Sequence, residues 1–212
     1  MKHAGKHADT LKSLLKKLRR EEVPAPQPQE PLRALVRAAM SYNMPEERVD
    51  EVMRAIDEEF VDLNELRVAT ELEVQELLGA KYPGIEQRVT IITQALNAIF
   101  EREHTLSLGR LGSVSKREAR QFLRDLPGMH PFVEGYVMLL SFDGHAVPLD
   151  ETMLEYLSGQ EAVEENATLA DAQKFVENHL KAEDCHDFYW LVRTAAHSEP
   201  ESKRKKAKAR AD

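Results

Sequence analysis

An all-α fold is predicted for this chain by three observations. Apolar residues recur at spacings of three and four along most of its length. Two capping boxes, Thr70 with Glu73 and Ser115 with Glu118, mark helix starts. Only residues 144–147 (GHAV) read as an extended piece, and no internal repeat is found.

Taken in order, Leu11, Leu14, Leu15 and Leu18 form a stripe with lysines opposite, so about 8–21 reads as an amphipathic helix. The VPAPQPQEP stretch, 23–31, ends it as an extended linker, because proline lacks the helical N–H donor. A second helix starts with Leu32, Leu35, Val36, Ala39 and Met40. Pro45 opens a third, carried by Val49, Val52, Met53, Ile56 and Phe60. Thr70 starts the next, and Gly79 stops it. Ile85, Val89, Ile92, Leu96 and Ile99 outline the longest helix, and Ser115 starts another. Phe132, Val133, Tyr136, Val137 and Leu140 form the apolar side of a helix that Pro131 can begin. Thr168 caps one holding Ala172, Phe175, Val176 and Leu180, and the last includes Phe188, Leu191 and Val192.

The chain carries a net charge of −8, with +6 on residues 1–20 and +5 on 202–212, which leaves −19 on residues 21–201. Nucleic-acid affinity comes mostly from cations that displace condensed counterions, so this body weakens duplex binding unless its positive charge is gathered in one place. The tail 201–212 reads either as a disordered basic end or as an added source of charge for DNA. No apolar run approaches the length of a bilayer span, and the N-terminus lacks a secretion-type apolar segment. One cysteine, Cys185, excludes a disulfide framework and fits a reducing cytoplasm, with nucleoid association if DNA is bound. The histidines do not cluster at metal-ligand spacing, so no metal is expected.

Residues 126–150, LPGMHPFVEGYVMLLSFDGHAVPLD, combine a Leu-Pro-Gly turn, two apolar segments and a carboxylate 22 residues beyond Gly128. This segment resembles the helix-hairpin-helix of endonuclease III-like DNA glycosylases. Residues 31–43, 77–92 and 183–197 resemble further family segments in the same order. The resemblance implies a two-lobed helical fold, with 31–140 as a six-helix barrel lobe and 1–30 with 141–200 as the second. It implies Asp150 as the catalytic carboxylate, stabilising an oxocarbenium-like transition state while a base is released. It implies DNA contacts from Leu126, Pro127, Gly128, Met129 and His130, and a minor-groove contact from Asn43. As an N-cap, Asp150 has an ordinary structural explanation as well, and so does Asn43 as a turn residue.

Departures from the family pattern limit the expected chemistry. Phe132 stands where bifunctional relatives carry a Schiff-base lysine, so no lyase activity is expected. His130 replaces the hairpin's second glycine, and Glu134 in the next turn would repel a phosphate if it faced one. The four cluster cysteines are missing, so no iron–sulfur cofactor is expected. Lys81 and Lys116 do not fall on the lysine position, and Ser41, His145, Tyr189 and Trp190 have plain packing or turn explanations. The leading expectation is a monomeric, monofunctional DNA N-glycosylase that binds double-stranded DNA. The alternative is a catalytically inactive relative that binds DNA or a protein partner.

Overall fold

The computed structural model describes residues 4–21, 27–79 and 82–198. Among these there are eleven α-helices, one 3-10 turn and no strand. The GHAV stretch forms no strand, and the piece expected to be extended is a loop. Residues 23–26 of the expected linker, Lys81 and the tail lie outside the described residues.

Contacts divide the chain into two compact units: Pro28–Gly144, and Met1–Gln27 with His145–Asp212. In the first, α2 (Pro31–Ser41) is central: Leu32, Leu35, Val36, Ala39 and Met40 are all buried. Its start is set by Pro31, with the Glu30 carboxylate accepting from the Arg33 N–H at 2.7 Å. Around it pack α3 (Glu46–Glu59), α6 (Ile85–Glu103) and α8 (Pro131–Phe142). Buried Val49, Val52, Met53 and Ile56 give α3 its inner face. α4 (Leu63–Val68) was not foreseen: only Leu66 is buried, so it leaves no apolar period, and its start rests on Asp62 accepting from the Asn64 and Glu65 N–H groups. The Thr70 and Ser115 capping boxes form as expected, opening α5 (Glu71–Leu78) and α7 (Lys116–Arg124). Gly79 ends α5 at φ +84°, a conformation that favours glycine. A 3-10 turn at Gly109–Ser113 precedes α7.

The second unit joins α1 (Ala4–Leu18) to three later helices. These are α9 (Glu151–Gly159), α10 (Leu169–His179) and α11 (Ala182–Ser198). Leu11, Leu14, Leu15 and Leu18 are buried, so the expected stripe is the inner face of α1. α11 packs on both α1 and α9, with Cys185, Phe188, Tyr189 and Val192 inside. Arg19, at the end of α1, donates to Asp184 at 2.6 Å and to Asp187 at 3.0 Å, tying the chain ends together. No helix among the described residues is long and apolar enough to cross a membrane.

Candidate functional site

The hairpin is built by α7 and α8. Ser115 accepts from the Glu118 N–H, fixing the start of α7. After Arg124 the chain turns through Leu126–Pro127–Gly128–Met129, closed by the Met129 N–H donating to the Leu126 carbonyl at 3.2 Å. Proline second and glycine third, at φ +66°, is the arrangement of a type II turn. Leu126 is buried under the turn, Pro127 and Gly128 are exposed, and Met129 and His130 are half-buried.

His130, in place of the hairpin's second glycine, keeps an extended backbone. It sits at φ −86°, ψ 140° as the N-cap of α8, and its Nδ1 accepts from the Phe132 N–H at 3.2 Å. One amide at this helix start is therefore answered by the protein itself. Phe132, in the place of the family's lysine, is fully buried and packs edge-on against Tyr42 with ring centroids 5.4 Å apart.

Glu134 corrects a second expectation. It is 3% exposed and bound by two guanidinium groups of the preceding helix, Arg120 Nε and Arg124 Nε, the latter at 2.8 Å. Its charge is answered inside the hairpin, and it is not left bare to repel a phosphate.

Asn43 lies in the turn after α2 at φ +54°, a left-handed conformation that asparagine tolerates. The neighbouring Tyr42 ring lies 4.3 Å from the His130 ring, so this turn sits against the hairpin. Arg88, which the sequence reading passed over, holds it there. Its guanidinium donates to the carbonyls of Ala39 and Tyr42, each at 2.6 Å, and to Pro83 at 2.8 Å. The Tyr82 hydroxyl adds a bond to the Met40 carbonyl at 2.8 Å. The available signal was an arginine on the apolar face of the long helix, between Ile85 and Val89. Ser41 donates to the Arg37 carbonyl and is buried.

Asp150 belongs to the second unit, where it caps α9. Its Oδ1 accepts from the Met153 N–H at 2.8 Å. Its Oδ2 lies 3.4 Å from Arg193 Nη1 and 3.4 Å from His197 Nε2, both on α11. The carboxylate has no exposed surface, and Arg193 is 1% exposed. Burial pushes this carboxyl up, but the His197 hydrogen bond, the Arg193 charge and the Met153 N–H outweigh it and hold it below the usual carboxylate range. The structure thus encloses the carboxylate that the resemblance offers as catalytic. Arg193 was not anticipated either. It falls on the inner face of α11, four residues after Tyr189.

The remaining candidates lie elsewhere. His145 is exposed. Lys116 donates to the Phe142 carbonyl at the end of α8. Tyr189 is buried, and Trp190 donates to His186 at 3.0 Å. Cys185 is buried, with its thiol pushed up to about 12 mainly by that burial. No group of three or more His, Cys, Asp or Glu among the described residues could hold a metal ion. A hollow of about 360 Å³, lined by residues including Glu164, Asp171, Lys174 and His179, touches none of the predicted site residues.

No protein-family model and no curated protein matches the chain. Solved structures do. An 8-oxoguanine glycosylase/lyase from Clostridium acetobutylicum, in complex with double-stranded DNA, is 20% identical. It superposes with a TM-score of 0.71 over 91% of this chain and 70% of its own. A 3-methyladenine DNA glycosylase from H. pylori, bound to 1,N6-ethenoadenine, is 13% identical, with a TM-score of 0.67 over 93% of this chain and 99% of its own. An endonuclease III trapped in a covalent intermediate with DNA gives 13% identity and a TM-score of 0.66 over 91% and 85%. The all-α fold is thus the helix-hairpin-helix glycosylase fold.

Proposed function

We propose that this protein binds duplex DNA through its hairpin unit and that Asp150 serves as a structural anchor, not as a presented catalytic carboxylate. The fold supports the first half: its neighbours are DNA glycosylases, several of them solved on DNA. The enclosed state of Asp150 carries the second half. A carboxylate that assists base release must face the sugar, where positive charge develops as the glycosidic bond breaks. Here one oxygen caps a helix and the other is shared by Arg193 and His197. A buried guanidinium beside the carboxylate cancels the field that would stabilise an oxocarbenium ion, and repels that ion directly.

One observation favours a second reading, monofunctional base excision. Asp150 is held ionised and opens a helix on a fold shared with DNA glycosylases. In that reading the carboxylate must part from Arg193 to act. Phe132 leaves no amine for a Schiff base in either case.

A base-release assay on a panel of damaged and mispaired duplexes, run beside binding to an abasic duplex, separates the two. The expected result is specific duplex binding with no base released by wild type, and a lower melting temperature for Asp150→Asn. Release of any base by wild type, lost in Asp150→Asn at unchanged affinity, would overturn the proposal in favour of excision. Failure to bind duplex at all would overturn both readings.

A further inference from the structure

We infer that one flank of α7 is the DNA-backbone contact of this protein: a stripe formed by Lys116, Arg117, Arg120 and Arg124 that takes duplex phosphates. The inference rests on the duplex-binding reading above and names the surface responsible for it.

Charge distribution first singles out this segment. Residues 110–124 carry five Lys/Arg against Glu118, a net +4, while the rest of Pro28–Gly144 carries −11. Helical geometry then gathers the charge. At 3.6 residues per turn, Lys116, Arg117, Arg120 and Arg124 project within about 100° of arc. Glu118 falls outside that arc, and Ala119 and Leu123 face the core. The cations therefore share one flank, and the helix's own acid is not among them.

Within the hairpin, Glu134 is bound by both Arg120 and Arg124. Arg124 keeps more than half of its side chain exposed, at 55%. Lys116 spends a proton on the Phe142 carbonyl, a neutral acceptor, so its charge is unanswered by it. Arg117 is exposed and has no hydrogen-bond or ion-pair partner among the described residues. Elsewhere in the unit, Arg33 is bound by both oxygens of Asp57, and Arg37 by Glu46 and Asp50.

The stripe is matched to a regular polyanion. It runs about 12 Å along the axis at 1.5 Å per residue, and a duplex presents about seven charges over that length. It also leads into the exposed Pro127–Gly128 turn. At that turn His130 already occupies the Phe132 amide, so guanidinium groups of α7 take over phosphate contact from the helix-start amides.

Binding of the full chain to a fluorescent 20-base-pair duplex, followed by anisotropy between 50 and 200 mM NaCl, tests this. Arg117→Ala removes an unpartnered side chain and leaves the fold intact, as a thermal melt checks. The expected slope of log K against log salt is shallower by about 0.9 than in wild type, so affinity falls about 3.5-fold less across that range. Arg117→Glu weakens binding further, and Arg33→Ala, at an arginine paired with Asp57, leaves the slope unchanged. A wild-type slope in Arg117→Ala, with binding intact, overturns the inference but not the duplex-binding reading. Displacement of the duplex by polyglutamate at equal charge concentration overturns the assignment to DNA. Absence of any wild-type binding overturns both.

Discussion

Asp150 and Arg193 show what a single residue contributes here. Replacing Asp150 by Asn keeps an acceptor for the Met153 N–H but removes a negative charge beside a buried guanidinium, so the variant should lose about 3 kcal/mol of stability at neutral pH. The pH dependence has a definite sign. The carboxyl is held below its ordinary value of 3.8 in the folded chain, so its contribution is complete above about pH 4 and fades as the pH falls through the folded value. Urea denaturation at pH 7 and pH 3 should show the advantage of wild type over Asp150→Asn larger at the first than at the second. An equal gap at both would show that the ion pair contributes nothing. Position along the chain identified Asp150 as a helix start, and that much was legible. Its enclosure was not, because the groups that close over it come from 43 and 47 residues away.

At the scale of elements, the hairpin was readable in its punctuation and misread in its electrostatics. Ser115, Pro127, Gly128 and Pro131 each act through the local backbone, so sequence alone placed both helices and the turn. Gly128→Ala should cost about 1–2 kcal/mol, because an added Cβ meets Ile91 and Gln94 only at ordinary distances of 3.6 and 3.8 Å while φ +66° still penalises an L side chain. A melting curve checks this, and a neutral result would argue against the turn geometry. Glu134 looked repulsive in sequence because its partners, 10 and 14 residues earlier, come from the other helix. Glu134→Gln should lower stability by about 1–3 kcal/mol, less than for a fully enclosed pair, since Arg120 and Arg124 both reach solvent. The same variant should tighten duplex binding by removing an acid from the cationic flank, which anisotropy would register. α4 escaped the sequence reading for a different reason. A helix of six residues with one buried side chain has no periodicity to detect.

For the whole molecule, the fold class followed from periodicity, and the glycosylase fold from the order of several weak segments. Electrostatics is the property that local pattern conveyed least well. Deleting residues 202–212 moves the net charge from −8 to −13. Duplex affinity should fall while a salt-dependent component, carried by α7, persists. Complete loss of binding would assign recognition to the tail instead. The ion pairs of Arg19 with Asp184 and Asp187 have a consequence for synthesis. The leucine face of α1 is made some 165 residues ahead of its partner α11. At about 5–20 residues per second, those leucines wait on the order of ten to thirty seconds for their cover. Over that interval the nascent chain offers a chaperone an amphipathic, lysine-flanked helix, which the finished protein hides.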